Sequence, residues 1–125
     1  MGRPMFHLEV KVYEDGSLIK GFSTPRRFQD IVWADYYFRY LRFLAGKFYP
    51  IFKRWCAGDG SLPGEDYVMN LNWFIYHCPI YLKRNLKIAE ADMIYEMCRV
   101  QYYQDNPTAT ELKVELNMVQ KRADY

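Results

Sequence analysis

The chain has 125 residues, a formal net charge of +2, and 50% hydrophobic and 26% charged residues. This length suits one domain over residues 1–125 that buries a core without metal or disulfide staples, and the composition excludes a disordered chain. The nearly balanced charge does not require nucleic acid as a partner, whereas an aromatic fraction of 18% is unusual and suits an amphipathic surface.

The N-terminal segment alternates between apolar and polar side chains over residues 6–13. This period of two predicts a strand with one buried face. Asp15-Gly16 follows, and Asp-Gly between two such runs is a strong hairpin signal because a type I′ turn needs two residues at positive φ. We therefore predict a β-hairpin that residues 18–22 complete.

An aromatic-rich segment over residues 24–57 comes next. Thr24 is a suitable N-cap, and Pro25 would occupy the first helical position, where its missing N–H costs nothing. Gly46 is suited to end a helix, and Pro50 discourages its continuation. These signals predict helices over residues 25–45 and 49–56.

The first of these helices is apolar over most of its circumference. Its polar stripe is narrow and contains Asp35, Arg39 and Arg42. Such a helix is either central to the core or partly covered by a partner, and we favour the core. At 100° per residue, the stripe predicted to face the core contains Ile31, Ala34, Phe38, Leu41 and Ala45.

The middle of the chain contains a loop and two further helical patterns. Residues 57–66 are rich in glycine, which predicts a surface loop, and they lack the Gly-Lys-Ser/Thr of a phosphate-binding loop. Residues 66–78 fit a helix or a strand, and we prefer the helix. Pro79 is expected to start a new element, which is helical over residues 80–104.

The C-terminal segment also has two interpretations. The run from Thr108 to Glu111 resembles a capping box that opens a helix. However, residues 112–118 alternate strictly between apolar and polar, and Glu9 and Lys11 could face Lys113 and Glu115 across an antiparallel pair. We prefer the strand over residues 110–119, and the predicted class is α+β: an N-terminal hairpin, central aromatic-rich helices and a C-terminal strand completing a small antiparallel sheet.

The residue types of catalysis and metal binding lack the spacing that these functions need. The three cysteines are not closely spaced, His77 and Cys78 are adjacent and point apart, and no pair of ligands suits structural zinc. We expect no catalytic residues, cofactor or metal. The cysteine pattern, the absence of an apolar leader and the absence of a membrane-length apolar run lead us to expect a reduced, cytoplasmic protein outside the membrane.

The composition favours a small non-enzymatic protein that binds another protein as an inhibitor or regulator. One interpretation is an inhibitor or regulator of the type that phages and mobile elements encode. Tyr, Trp, Met and Arg dominate binding hot spots, and they are abundant here. Further candidates for a docking site are an exposed sheet edge and three tyrosines, Tyr95, Tyr102 and Tyr103. The sequence is also compatible with a homodimer. The candidate partner-binding residues are Trp33, Tyr36, Tyr37, Arg39, Tyr40 and Arg42.

Nucleic-acid binding is the alternative hypothesis. Single-strand binding uses cationic side chains for phosphates and exposed rings for bases. Here basic residues are interleaved with Tyr37, Tyr40, Phe48, Tyr49 and Trp55, although no known nucleic-acid-binding motif accompanies them. The candidate residues are Arg26, Arg27, Arg39, Arg42, Lys47, Lys53 and Arg54.

Overall fold

The computed structural model describes residues 4–24, 26–56, 67–106 and 111–122. Within these ranges the fold is α+β, as predicted, with three helices and a three-stranded antiparallel sheet of order β2-β1-β3. The predicted loop 57–66, Pro25 and most of the alternative capping box lie outside the described residues. The elements are β1 (Pro4–Glu14), β2 (Ser17–Ser23), α1 (Ile31–Cys56), α2 (Tyr67–Leu82), α3 (Ile88–Asp105) and β3 (Leu112–Arg122).

The predicted hairpin is confirmed, and its turn has the predicted conformation. Asp15 has a φ of 49° and Gly16 a φ of 82°, the two positive values that a type I′ turn requires. The Asp15 side chain accepts a hydrogen bond from the backbone N–H of Glu111 at 2.9 Å, and the Asp15 N–H donates to the Glu111 carbonyl. The turn therefore also anchors the start of β3.

The C-terminal strand is confirmed, and it pairs with β1 along the whole length of β3. Lys11 lies opposite Glu115, as expected from charge. The other expected pair is wrong, since Glu9 lies opposite Asn117 and Lys113 opposite Tyr13. Val10 and Val12 are fully buried on the face that the helices cover, so β1 is the central strand of the core.

The predicted start of the first helix is wrong. Thr24 is buried and its N–H donates to the Leu8 carbonyl at 3.0 Å, while Phe6 and Phe28 exchange two backbone hydrogen bonds. These bonds to β1 hold the segment before the helix in an extended path. Asp30 caps α1 instead, because its carboxylate accepts a hydrogen bond from the Val32 N–H at 2.8 Å.

The predicted interruption of this helix is also wrong, because α1 continues through Gly46 and Pro50 as one element. Phe48, Phe52 and Trp55 are all buried on the same face of α1. Burial of these rings outweighs the one hydrogen bond that a proline removes from a helix. Tertiary packing thus overrides the local stop signals.

The helical interpretation of residues 66–78 is confirmed, but the predicted boundary at Pro79 is wrong. α2 runs through Pro79 to Leu82, and the chain turns at Lys83, which has a φ of 54°. α3 therefore begins at Ile88 rather than at residue 80. Its first turn is stabilised by Glu90, whose carboxylate accepts a hydrogen bond from the Lys87 N–H at 2.8 Å.

The core between the helices is an aromatic cluster. Phe74 of α2 packs edge-on against Phe48 of α1, with a distance of 4.7 Å between ring centroids, and against Tyr95 of α3 at 5.1 Å. Trp55 of α1 lies 5.1 Å from Trp73 of α2. Most aromatic side chains in the C-terminal half of α1 therefore lie in the core.

Candidate protein-binding surface

α1 has a buried face and an exposed face that are both apolar. The buried face contacts β1, α2 and α3 through residues such as Tyr37, Leu41 and Leu44. The exposed face is lined by rings at a 3-4-3 spacing, which places side chains on the same side of a helix. We call this set the aromatic face: Trp33 is 64% exposed, Tyr36 61%, Tyr40 39% and Phe43 58%.

The segment that follows α2 borders the aromatic face. The Arg84 guanidinium Nε donates a hydrogen bond to the Tyr40 hydroxyl at 3.1 Å. Near the end of α2, Ile80 and Tyr81 are exposed, and the Tyr81 ring lies 5.9 Å from that of Phe48. Exposed apolar side chains therefore occur on both α1 and α2.

Cationic side chains surround the aromatic face. Arg39 and Asp35 form an exposed ion pair at 3.1 Å, and the Lys47 ammonium lies 5.2 Å from the centre of the Phe43 ring. Exposed ion pairs of this kind contribute little to stability. Lys47 and Arg84 therefore place positive charge at the border of the aromatic face, whereas the charge of Arg39 is balanced by Asp35.

The structure brings together four of the predicted partner-binding residues and separates the other two. Trp33, Tyr36 and Tyr40 belong to the aromatic face, and Arg39 lies beside it. Tyr37 is buried, so it cannot contact a partner. At about 100° per residue, Arg42 lies opposite Trp33, and its guanidinium is 5.7 Å from the Phe38 ring.

Phe43 was missed by the sequence reasoning, and its signal is the spacing. It follows Tyr40 by three positions and completes the series that begins at Trp33.

The second group of candidate partner-binding residues, the late tyrosines, is not exposed as a set. Tyr95 is buried, while Tyr102 and Tyr103 are half-buried, so these tyrosines do not form an exposed set. The Arg99 guanidinium contacts Tyr95 and Tyr103 and pairs with the buried Glu96.

Of the basic residues of the nucleic-acid hypothesis, Arg39 and Lys47 border the exposed rings of the aromatic face, whereas the others belong to other parts of α1 and to the segment before it. Three of the interleaved rings, Tyr37, Phe48 and Trp55, are buried and are not accessible to bases. The basic side chains themselves point to solvent from several sides of α1 and from the segment before it. They are Arg26, Arg27, Arg39, Arg42, Lys47, Lys53 and Arg54.

Two of the three thiols, Cys78 and Cys98, are buried, and Cys56 is half-buried. Burial raises the pKa of the Cys78 thiol to about 12, and burial raises the pKa of the half-buried Cys56 to about 11, although nearby Arg99 lowers it. A nucleophilic cysteine needs a lowered pKa. His77 stacks on Trp73, with 4.5 Å between ring centroids. No group of three metal-binding side chains occurs among the described residues.

Comparison with other proteins adds no further constraint on the site. No protein-family model matches the chain, and no curated protein or solved structure matches it. None of the described helices combines the length and apolar character that crossing a membrane requires.

Proposed function

We propose that this chain is a small non-enzymatic protein that binds another protein through the aromatic face and regulates or inhibits it by occupying its surface. The observation that supports this proposal is the exposure of four rings on one side of α1: Trp33, Tyr36, Tyr40 and Phe43. Contiguous exposed apolar surface on a soluble protein marks an interaction site more often than an accident of packing.

The chemistry of these side chains suits a binding hot spot. Tryptophan and tyrosine combine a large apolar area with few rotatable bonds, so their immobilisation costs little entropy. The helix that presents them is rigid, because its opposite face is buried in the core. A partner would therefore meet a preformed surface, which reduces the entropic cost of binding.

The surrounding charges indicate the kind of partner. Arg39, Lys47 and Arg84 border the aromatic face, and all three are exposed. A protein with an apolar depression and acidic residues around it would complement this surface. Charges at the border of an interface mainly affect the association rate, so binding is expected to be faster at low salt.

Affinity capture with matched variants tests the proposal. The Trp33→Ala/Tyr36→Ala variant removes two rings of the aromatic face, and Lys53→Ala/Arg54→Ala removes two exposed side chains elsewhere on α1. We expect a partner that the wild type and the second variant retain and the first variant loses, with all three proteins equally stable to heating. Retention of the same proteins by all three would show that the aromatic face is not the binding site.

Nucleic-acid binding is retained as the second candidate because the basic side chains named above are all exposed. It predicts that a labelled single-stranded oligonucleotide binds with strong salt dependence and that Lys53→Ala/Arg54→Ala weakens this binding. Fluorescence anisotropy at two salt concentrations measures both effects. The protein-binding proposal instead predicts no salt-sensitive binding of the oligonucleotide by any of the three proteins.

A further inference from the structure

β3 forms an edge of the sheet with features of a pairing strand. It extends over Leu112–Arg122 and pairs with β1 without a register shift, and it contains no proline. In the described part of the chain, no strand lies on its other side. Proteins usually protect such long, regular edges with bulges, prolines, short strands or charged side chains. This edge has no bulge or proline and is long, and of these devices it has only charged side chains, among them Lys113 and Glu115.

The apolar layer beneath β3 is incomplete. Val10 and Val12 are fully buried, but their cross-strand neighbours Leu116 and Val114 are only half-buried although they face the same helices. A groove of about 480 Å³ opens there between α1, α3 and β3. Ala45, Met97, Val100, Val114 and Leu116 are among the residues that line it.

The opposite face of β3 carries a charge pattern that complements itself. Lys113 and Glu115 lie on this solvent-facing side, with their charged groups 4.0 Å apart. If a second β3 pairs antiparallel about a two-fold axis at Val114, Lys113 of each copy faces Glu115 of the other. Unlike charges directly opposite each other stabilise a strand pair.

The same register also matches the apolar side. Leu112 of each copy faces Leu116 of the other, and Val114 faces itself across the axis. These side chains would extend the layer that is incomplete in one copy. A symmetric interface of this kind is closed after two copies, so it forms a dimer and not a fibre.

We propose that the β3 edge is the docking site for a second copy of this chain, which joins the two three-stranded sheets into one across a two-fold axis at Val114. This interface is separate from the aromatic face. Arg42, which lines the groove, lies on the opposite side of α1 from Trp33. One dimer would thus present two aromatic faces.

Light scattering after size-exclusion chromatography, over a range of protein concentrations, tests the proposal. The wild type is expected to be a dimer. Lys113→Glu and Glu115→Lys each replace two attractive pairs with two repulsive ones, so each should weaken the dimer by about tenfold or more. The exposed Lys53→Glu on α1 is the matched control and should leave the dimer unchanged.

A mixture of Lys113→Glu with Glu115→Lys tests the charge pairing directly. This test does not require a double variant to fold. Each variant repels itself, but the two complement each other at both charge pairs. The mixture should therefore form a heterodimer of near wild-type affinity. Circular dichroism checks that each variant is folded.

Three results would overturn the inference. The first is a wild type that stays monomeric at every concentration. The second is a dimer whose affinity neither the charge variants nor their mixture changes. The third is loss of the dimer in Trp33→Ala/Tyr36→Ala, which would place the second copy on the aromatic face. Loss of a captured partner in that variant with an intact dimer would separate the two interfaces.

Discussion

The Tyr37 hydroxyl donates a hydrogen bond to the Glu90 carboxylate across the interface between α1 and α3, with 2.5 Å between the oxygens. Both side chains are buried. The second oxygen of Glu90 accepts a hydrogen bond from the Lys87 N–H. One carboxylate therefore caps the start of α3 and fixes it to α1, the helix that carries the aromatic face.

Tyr37→Phe should destabilise the protein without creating a large cavity. The substitution removes only the hydroxyl, and it leaves a buried carboxylate oxygen without that donor. Leaving a buried polar group unpaired costs about 1–3 kcal/mol, and somewhat more for a charged group. We expect a loss of this size in the free energy of unfolding, measured by urea denaturation.

Tyr40→Phe is the matched control for this substitution. The Tyr40 hydroxyl also has a partner, Arg84, but that hydrogen bond is exposed. Its loss should change the free energy of unfolding by less than about 0.5 kcal/mol. A double-mutant cycle of Tyr37→Phe with Glu90→Gln measures the coupling. Equal losses in the two Tyr→Phe variants, or a cycle without coupling, would contradict the assigned role of the buried pair.

Stability should fall at alkaline pH, in part through Tyr37. Burial first, and then the hydrogen bond and the charge of Glu90, raise the pKa of Tyr37 above its ordinary value. Below pH 10 the phenol is neutral in both states and its contribution is fully present. Above about pH 10 the unfolded chain releases the proton more readily, so stability is lost as the pH rises.

Urea denaturation at several pH values between about 8 and 11.5 measures this dependence. Buried thiols have raised pKa values too, so wild-type stability should begin to decline near pH 9. Tyr37→Phe should make the decline above about pH 10 less steep, and Tyr49, whose pKa is also raised by burial and by Asp105, should account for part of the decline that stays. A variant whose stability falls as steeply as that of the wild type above pH 10 would show that Tyr37 does not contribute.

The strands could be predicted from sequence because their signals are local. Alternation over residues 6–13 and 112–118 marks two half-buried strands, and Asp15-Gly16 specifies the turn between β1 and β2. The charge match of Lys11 with Glu115 indicated that β3 returns to β1. Because a shift of one residue would move the buried side chains of a strand to the solvent-facing side, few alternative registers are possible between two such strands.

The helix boundaries and part of the site depend on tertiary contacts that no local pattern contains. Thr24 has the chemistry of an N-cap, but its backbone pairs with Leu8. Pro50 and Pro79 end helices in short peptides, whereas here the packed rings on both sides keep α1 and α2 continuous. Composition located the aromatic surface on α1, yet only the packing of α3 shows that Tyr37 is buried against Glu90.

At its N-terminal end, the buried side of α1 differs from the stripe predicted to face the core. Substitutions to alanine at two positions of that stripe should therefore have different effects on stability. Leu41 is fully buried, so Leu41→Ala should cost about 2–5 kcal/mol through lost burial and a cavity. Ile31 belonged to the same predicted stripe but is 55% exposed at the first turn of α1. Ile31→Ala should therefore change the free energy of unfolding by less than about 0.5 kcal/mol. Similar losses in thermal or urea unfolding would contradict this assignment.

The three thiols should react in an order set by burial. Cys56 is half-buried, whereas Cys78 and Cys98 are buried, and all three are free. Because burial raises the pKa of Cys56 to about 11, a much smaller fraction of Cys56 than of an ordinary thiol is thiolate at pH 7.5. Cys56 should therefore react slowly with an aromatic disulfide reagent, and the other two only when the protein opens.

Following the released thiolate by absorbance tests this order, with Cys56→Ser as the matched variant. The first phase should vanish in that variant, and urea should make the two remaining thiols react at once. The slow phases report the opening of the aromatic core, because Cys78 lies on α2 and Cys98 donates a hydrogen bond to the Ala45 carbonyl of α1. If α1 and α3 separate only in global unfolding, Tyr37→Phe should accelerate both slow phases by one factor. That factor is the increase that the substitution causes in the unfolded population. A larger acceleration at Cys98 alone would instead show that the α1–α3 interface opens locally, and that Tyr37 and Glu90 hold it closed.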